Sequence, residues 1–332
     1  MKILIIGENN FNSLERIYKK NFLKLKCQSV NIYSFWKPKI KILKKFLNFQ
    51  EKYFYFFFCF IQNILLKKKL KGEKIVYDIV IVFNGYHLDQ KTISIIRKKA
   101  SKSLINIQTD NIFIKKNILY KNIKLFDKIY VWSKNIQKKI ITNLKFRKNK
   151  VIFLPFGYDQ FLIKKNKNKK LNNYILFYGS WDQDRENILQ NIDNKTLKIY
   201  GNGWNNAKIQ FKKKYYIKGE LVGKRLISEI SKSLLCLNLF RFQAKNFINM
   251  RSFEVLGYGG TLLSEYSNEQ CAFFSNYDNI IYFNNIEDVN LIYKKILSKK
   301  KLLLKKREKN KKKMIKHSYF NRAKFILNNE KI

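Results

Sequence analysis

Residues 249–265, NMRSFEVLGYGGTLLSE, are the stretch from which the fold of this chain can be worked out. Their pattern predicts a helix, a turn broken by Gly259 and Gly260, and a short buried strand. Arg251 and Glu254 are three residues apart, so they share one face of that helix. They form either a solvated ion pair worth under ~1 kcal/mol, or a pair pointing into a cleft where the positive helix end binds an anion or a sugar.

Short apolar strands alternate with helical stretches over the whole chain, which is typical of parallel sheets buried on both faces. Functional residues are then expected at the carboxyl ends of the strands. Strands are predicted at residues 2–7, 29–35, 77–85, 103–111, 127–133, 151–157, 174–180, 197–203, 215–219, 234–240, 260–265 and 279–283.

A break in this alternation lies near the middle of the chain. Pro155 is one of two prolines, and the sequence LPFGYDQF around it is a predicted linker. The fold class is therefore α/β, with two doubly wound Rossmann-like domains. We place the first at residues 1–156 and the second at residues 157–332, ending in a basic helix.

The formal charge of +46 over 332 residues is typical of proteins that bind nucleic acid or anionic lipid. Here the lysines are spread over the chain, except at the C-terminus, and a biased codon usage accounts for them equally well. The aromatic residues fall inside predicted strands, whereas single-strand nucleic-acid binding needs them exposed beside basic residues. We therefore expect no nucleic-acid partner.

The four cysteines are widely spaced and form no C-x-x-C pair, which argues against a zinc site and a disulfide framework. No signal peptide is visible, so a cytoplasmic location is expected. The most apolar run, residues 53–66, is too short to span a bilayer as a straight helix. A buried helix is the preferred interpretation, and an interfacial helix between its flanking lysines is the alternative.

Two strand ends in the second half carry residues suited to binding a phosphate. In FYGSWDQDRENIL, Gly179 and Ser180 end a strand, and Arg185 lies at the next helix start, where free N–H groups favour an anion. A plain strand–helix turn is the alternative. The pair Asp182 and Asp184 forms a D-x-D, but acidic residues are common at helix starts in any case, so we predict no metal site.

Other strand ends give weaker signals. Gly201 belongs to a G-x-G in YGNGW, which lacks the third glycine and the downstream acid of a dinucleotide site. Asp110 follows a strand in the first half, where it is either a site carboxylate or a helix N-cap. His87 also follows a strand, without a second histidine nearby, and a structural role is preferred for it.

The order of these stretches resembles the CgeB-like glycosyltransferases, relatives of the group-1 family with the two-Rossmann-domain GT-B fold. The resemblance covers nearly the whole chain. Its most specific part is N-x-R-x-F-E-x-x-x-x-G-G after a strand ending in NLFR. The resemblance implies two domains that face a cleft, with a nucleotide-sugar donor bound to the second.

The resemblance also assigns site residues. Predicted donor-binding residues are Gly179, Ser180, Arg185, Gly201, Asn249, Arg251 and Glu254. Glu254 matches the second glutamate of the E-x7-E motif, and Asp110 matches a first-domain acid; both are predicted to be catalytic. Asn246 stands where the motif has its first glutamate, so the chain departs from the motif at the contact to the sugar hydroxyls, and the resemblance implies no stereochemistry.

The expected function is transfer of a hexose-like sugar from a nucleotide sugar to a glycan, lipid-linked or protein acceptor. No cofactor or metal is expected, because helix dipole and arginine can stabilise the leaving group. The basic tail is expected to give peripheral association with anionic membrane, at its inner face. The alternatives are a non-catalytic surface or coat-associated protein with the same fold, favoured by Asn246, and a basic nucleic-acid-binding protein.

Overall fold

The computed structural model describes residues 1–35, 55–113, 119–163, 171–241 and 246–330. The chain forms two compact units. The first contains Met1–Pro155 and the residues from Ala323 onward, and the second contains Phe156–Arg322. The sequence-based boundary at residue 156 is close to this division, but it assigned the last ten residues to the second domain.

In the described part of the chain, the first unit holds a six-stranded parallel sheet in the order β2-β1-β3-β4-β5-β6. Its central strands are continuous apolar runs because helices cover both faces. The strands are β1 (Lys2–Gly7), β2 (Ser29–Ser34), β3 (Tyr77–Phe83), β4 (Ala100–Gln108), β5 (Lys128–Val131) and β6 (Val151–Phe153). The helices are α1 (Leu14–Lys24), α2 (Tyr55–Gly72), α3 (Gln90–Arg97), α4 (Leu119–Asn122) and α5 (Lys134–Asn143).

The second unit holds a second six-stranded parallel sheet within the described residues, in the order β12-β11-β10-β7-β8-β9. The strands are β7 (Asn172–Tyr178), β8 (Leu197–Tyr200), β9 (Tyr216–Lys218), β10 (Ser233–Asn238), β11 (Leu262–Glu265) and β12 (Ile280–Phe283). The helices are α6 (Gln183–Leu189), α7 (Ile209–Lys214), α8 (Gly223–Lys232), α9 (Met250–Gly257), α10 (Asn268–Phe273), α11 (Asp288–Leu297) and α12 (Lys300–Met314). The last helix, α13 (Tyr319–Asn329), begins in the second unit and continues into the first from Ala323 onward.

The α/β fold class with two doubly wound units is confirmed, and every strand predicted from the sequence is present. Several strand–helix loops end in a side chain that accepts a hydrogen bond from the first turn of the helix. This bond satisfies a backbone N–H that has no partner inside the helix. The capping residues are Ser13, Asp89, Ser133, Asp182, Asn249 and Ser267.

The basic tail is helical as predicted, but α12 is not a helix that lies entirely on the surface. Leu303, Arg307 and Met314 are buried in the second unit. The Arg307 guanidinium donates to Thr261 Oγ1 at 2.7 Å and to the carbonyl oxygen of Leu234 at 2.6 Å. One face of α12 is therefore a structural anchor, and the other carries the lysines.

The apolar run 53–66 was predicted to be buried, and for its described part this prediction is wrong on one face. Residues 53–54 lie outside the described residues. In α2, Cys59 and Leu66 are buried, whereas Phe56 and Phe60 are 76% and 60% exposed. In the described parts of the chain, no helix has the length and apolar character needed to cross a membrane.

Candidate active site

A cavity of about 330 Å³ opens in the second unit at the carboxyl ends of β7, β8 and β10. The strand order reverses between β7 and β10, because β8 and β9 extend the sheet on one side and β11 and β12 on the other. Open parallel sheets bind ligands at such a reversal. The lining includes all seven residues predicted to bind a donor: Gly179, Ser180, Arg185, Gly201, Asn249, Arg251 and Glu254.

The floor of the cavity depends on a close approach between the loops after β7 and β8. Gly201 has a φ of +152°, and a Cβ at this position would lie 1.9 Å from the carbonyl oxygen of Gly179. A Cβ on Gly179 would in turn lie 2.8 Å from a guanidinium nitrogen of Arg251. Trp204 donates from Nε1 to the Gly179 carbonyl oxygen at 2.9 Å. Only glycine fits at position 201 without displacing backbone.

Arg251 is held at the cavity by a buried polar network. Its Nη1 donates to Asn238 Oδ1 at 3.0 Å, and its Nη2 donates to the carbonyl oxygen of Tyr178. The guanidinium carbon lies 4.8 Å from the centre of the Tyr178 ring, a cation–π distance. Asn249 caps α9 through Ser252 and donates to the same Asn238 oxygen at 2.7 Å. The helix start and the guanidinium are therefore positioned together.

Glu254 takes a different partner from Arg251. Its Oε2 accepts a hydrogen bond from the Tyr178 hydroxyl at 3.1 Å. Burial raises the pKa of Glu254 to about 7, and the nearby Arg251 charge and the Tyr178 hydrogen bond oppose that rise only in part. Of the two sequence-based readings of the 251/254 pair, a solvated ion pair does not describe this geometry, and both side chains line the cavity.

Two further arginines complete the charge at the cavity. Arg185 is 7% exposed and donates from Nη1 to the Ser180 carbonyl oxygen at 2.8 Å. Arg241 Nε and Arg185 Nε each lie 3.6 Å from Asp182 Oδ2. Asp182 also caps α6, so this helix start has one of its N–H groups already bound. The D-x-D acid at position 182 therefore serves as a cap and a counter-ion in this structure.

Three guanidinium groups, from Arg185, Arg241 and Arg251, thus surround one small cavity. Burial, with the neighbouring positive charge of Arg251 next, lowers the pKa of Arg185 to about 10. Burial also lowers the pKa of Arg251. Each lowered pKa means that a like charge or a lost water shell disfavours the cation there, so an anion in the cavity would be stabilised.

Sequence reasoning missed Tyr178, Asn238 and Arg241 as parts of this site. Asn238 and Arg241 belong to the NLFR stretch that marked the resemblance, so their position after a strand was a usable signal. Tyr178 lay within a predicted strand. Its hydroxyl reaches Glu254 across 76 residues of sequence, and no local pattern indicates that contact.

Three other residues that the sequence singled out are Asp110, which was predicted to be catalytic, Asn246 at the motif position, and His87, for which a structural role was preferred. Asp110 is exposed, two residues beyond the end of β4 in the first unit. The helix required by its alternative N-cap interpretation would involve residues 114–118, which are outside the described residues. Asn246 is exposed and has a φ of +67°. His87 is buried against Phe35, with ring centres 4.3 Å apart, and burial lowers its pKa to about 4.

Among the residues that the structure describes, no three His, Cys, Asp or Glu side chains are grouped so that they could hold a metal ion. The cavity presents guanidinium groups, one carboxyl group of raised pKa, and the start of α9. These groups can bind a doubly charged anion and accept hydrogen bonds from hydroxyl groups.

Comparison with known proteins agrees with this geometry. Residues 185–328 match a family model described as glycosyl transferase-like. That match begins at the cavity arginine Arg185 and includes α9. A search of curated protein sequences finds no match.

Solved structures of similar fold cover nearly the whole chain. A glycosyltransferase from Rickettsia africae has a TM-score of 0.66 at 14% identity, covering 99% of this chain and 97% of its own. Anabaena Alr3699/HepE in complex with UDP has a TM-score of 0.60 at 10% identity, covering 99% of each chain. An E. coli structure described as trehalose-6-phosphate bound with UDP-2-fluoro glucose has a TM-score of 0.69 at 11% identity, covering 99% of each chain. This likeness shows that the fold is that of GT-B glycosyltransferases.

Proposed function

We propose that this chain is a glycosyltransferase that moves a hexose-like sugar from a nucleotide sugar to a glycan, lipid-linked or protein acceptor. The observation that carries the proposal is the cavity at the strand-order reversal of the second unit, where three guanidinium groups and the Glu254 carboxyl meet. The family match over residues 185–328 and the UDP and UDP-sugar ligands of the neighbours support the same assignment.

In this proposal the donor diphosphate lies among Arg185, Arg241 and Arg251, next to the start of α9. The bond between the anomeric carbon and the diphosphate oxygen breaks, and the electron pair stays on the diphosphate. The guanidinium charges and the helix dipole stabilise that developing charge, so the step needs no metal ion. The arginines are held by hydrogen bonds before the ligand arrives, which keeps the reorganisation small.

Glu254 is assigned to the hydroxyl groups of the donor. With a pKa of about 7, its carboxyl group is ionised in part of the molecules near neutral pH and can accept hydrogen bonds from the sugar or the ribose. Asp110 is proposed as the acceptor-side carboxylate, which receives the proton of the acceptor hydroxyl as the new glycosidic bond forms. The resemblance supports Asp110 as a catalytic acid of the first unit, and its role as the proton acceptor is part of this proposal.

We also propose that the chain belongs to the CgeB-like group, works without a metal ion and is located in the cytoplasm. Membership of the CgeB-like group rests on the quoted sequence stretches. Independence from metal rests on the guanidinium charge at the cavity. A cytoplasmic location at the inner face of a membrane rests on the cysteine usage and the basic composition.

A thermal-shift screen with UDP, ADP and GDP tests the donor site directly. A nucleotide at ~100 times its dissociation constant stabilises the protein by about 2.7 kcal/mol. No shift with any nucleoside diphosphate contradicts the proposal. A shift without hydrolysis or transfer of several nucleotide sugars favours the non-catalytic alternative, for which Asn246 at the motif position is the specific observation.

A further inference from the structure

Helix α2 of the first unit has an exposed face that is apolar in one half and basic in the other. Phe57, Phe60 and Ile64 are 51%, 60% and 44% exposed, and Lys68 and Lys71 follow on the same face. These five positions are spaced by three or four residues, so they form one stripe along the helix. At about 1.5 Å per residue, the stripe is roughly 21 Å long.

The opposite face of α2 explains why this stripe points outward. Cys59, Asn63, Leu66 and Leu70 are buried. The Asn63 side chain donates to the backbone carbonyls of Cys59 and His87, at 2.7 and 2.6 Å, which fixes the rotation of the helix. The phenylalanines are therefore exposed because these hydrogen bonds and the buried residues fix the opposite face of α2 against the first unit.

Charge decides between the occupants that an apolar stripe can accept. A second copy of this chain carries the same formal charge of +46, so two copies repel each other. Like charges at a desolvated contact cost free energy. An anionic lipid surface suits both halves of the stripe. Its apolar boundary layer can take up the phenylalanines, and its negative headgroups can bind the lysines.

We propose that the first unit docks on anionic membrane through α2. Phe57, Phe60 and Ile64 enter the boundary between headgroups and acyl chains, and Lys68 and Lys71 contact the headgroups. The helix lies along the surface, as interfacial helices with aromatic and basic residues do. This surface is distinct from the tail helix α12, which the sequence alone favoured for membrane contact and whose inner face is occupied by Arg307 and Met314.

Vesicle sedimentation with matched variants tests the proposal on the full-length chain. The parent should bind phosphatidylcholine vesicles that contain phosphatidylserine. The double variant Phe57→Ser/Phe60→Ser should bind about 100-fold more weakly, about tenfold for each side chain withdrawn from the boundary. The control Leu302→Ser/Leu304→Ser removes two exposed leucines from the lysine-rich α12, at 51% and 41% exposure, and should bind like the parent.

Several results would overturn the proposal. These are absence of parental binding, equal binding to vesicles without phosphatidylserine, loss of binding in the α12 variant alone, and equal losses in both variants. Displacement of the lipid by single-stranded RNA with no effect of the phenylalanine substitutions would indicate a purely cationic surface. Thermal melting confirms that each variant is folded. UDP binding, measured on the same samples, reports on the second unit, so failure of this proposal leaves the proposed transferase function standing.

Discussion

Replacing Glu254 by glutamine tests the candidate site through stability and turnover at once. Glutamine keeps the size of the side chain and can still accept a hydrogen bond from the Tyr178 hydroxyl, which lies 3.1 Å from the carboxylate in the parent. What it removes is the ionisable group. In the parent, burial moves the pKa of Glu254 from 4.5 to about 7. This pKa difference means that folding disfavours the ionised form of Glu254, relative to the protonated form, by roughly 3 kcal/mol.

The sign of the stability effect follows from proton binding. Between about pH 4.5 and 7 the folded chain keeps a proton on Glu254 that the unfolded chain has lost, so the free energy of unfolding falls as the pH rises through this window. Below the window, both states are protonated and the penalty vanishes. The variant has no proton to lose. It should match the parent near pH 4.5 and exceed its stability by roughly 3 kcal/mol above pH 7.

The assay is thermal melting of parent and variant across this pH window, without ligand. For a unit of this size, 1 kcal/mol shifts Tm by about 2–4 °C, so a separation of roughly 6–12 °C should open above neutral pH. Transfer from the donor should change in the opposite direction. If Glu254 accepts hydroxyl hydrogen bonds from the sugar, turnover should fall about 100-fold, or ~2.7 kcal/mol.

A matched control is available in the same unit. Glu229 accepts a hydrogen bond from the Tyr174 hydroxyl at 2.8 Å, a pairing of the same kind away from the cavity. Glu229→Gln should leave turnover near the parent value. Melting curves of Glu254→Gln that run parallel to those of the parent at every pH would refute the buried, proton-binding carboxyl. Turnover at the parent rate would remove Glu254 from the site.

Three further changes test other parts of the structure. Gly201→Ala should lower the free energy of unfolding, measured in denaturant, by about 2 kcal/mol or more, because the added Cβ collides with the carbonyl oxygen of Gly179. Gly219→Ala is the control, since a Cβ added there meets no other atom. Arg241→Gln should weaken UDP binding in calorimetry by roughly 1.5–3 kcal/mol and UMP binding less, with Tm unchanged, since this side chain is 56% exposed. Glu330→Gln should destabilise the first unit by roughly 3 kcal/mol in thermal melting, because its buried carboxylate accepts from the Tyr130 hydroxyl at 2.8 Å and pairs with a lysine; an unchanged Tm would show that neither bond contributes.

The sheets and the cavity lining were predictable because they depend on local patterns. Runs such as YILFY at residues 174–178 are apolar without interruption, which fits a strand covered on both faces. Since parallel strands end at the same edge, residues after strand ends had to converge. Gly179, Gly201 and Arg251 all line the cavity, although tens of residues separate them in the sequence.

The parts that were not predictable depend on rotation and on distant partners. The run at residues 53–66 is apolar apart from Gln62 and Asn63, so its sequence does not show which apolar face of α2 is exposed. That choice is made by Asn63, whose side chain bonds to His87 of another segment. Likewise, the many lysines of α12 gave no sign that Arg307 would be buried. Its guanidinium donates hydrogen bonds to backbone carbonyl oxygens of β10, which lies far away in the sequence.

The number of protons that the protein takes up or releases on ligand binding shows which part of the ligand contacts Glu254. A diphosphate close to the carboxylate adds negative charge and raises its pKa further, so the protein takes up protons when the ligand binds near pH 7. Hydroxyl groups that donate to the carboxylate stabilise its charged form and lower its pKa, so protons are released. The proposed arrangement places the phosphates against the arginines and the hydroxyls against Glu254. It therefore requires proton release for the complete nucleotide sugar, and a release that disappears in Glu254→Gln.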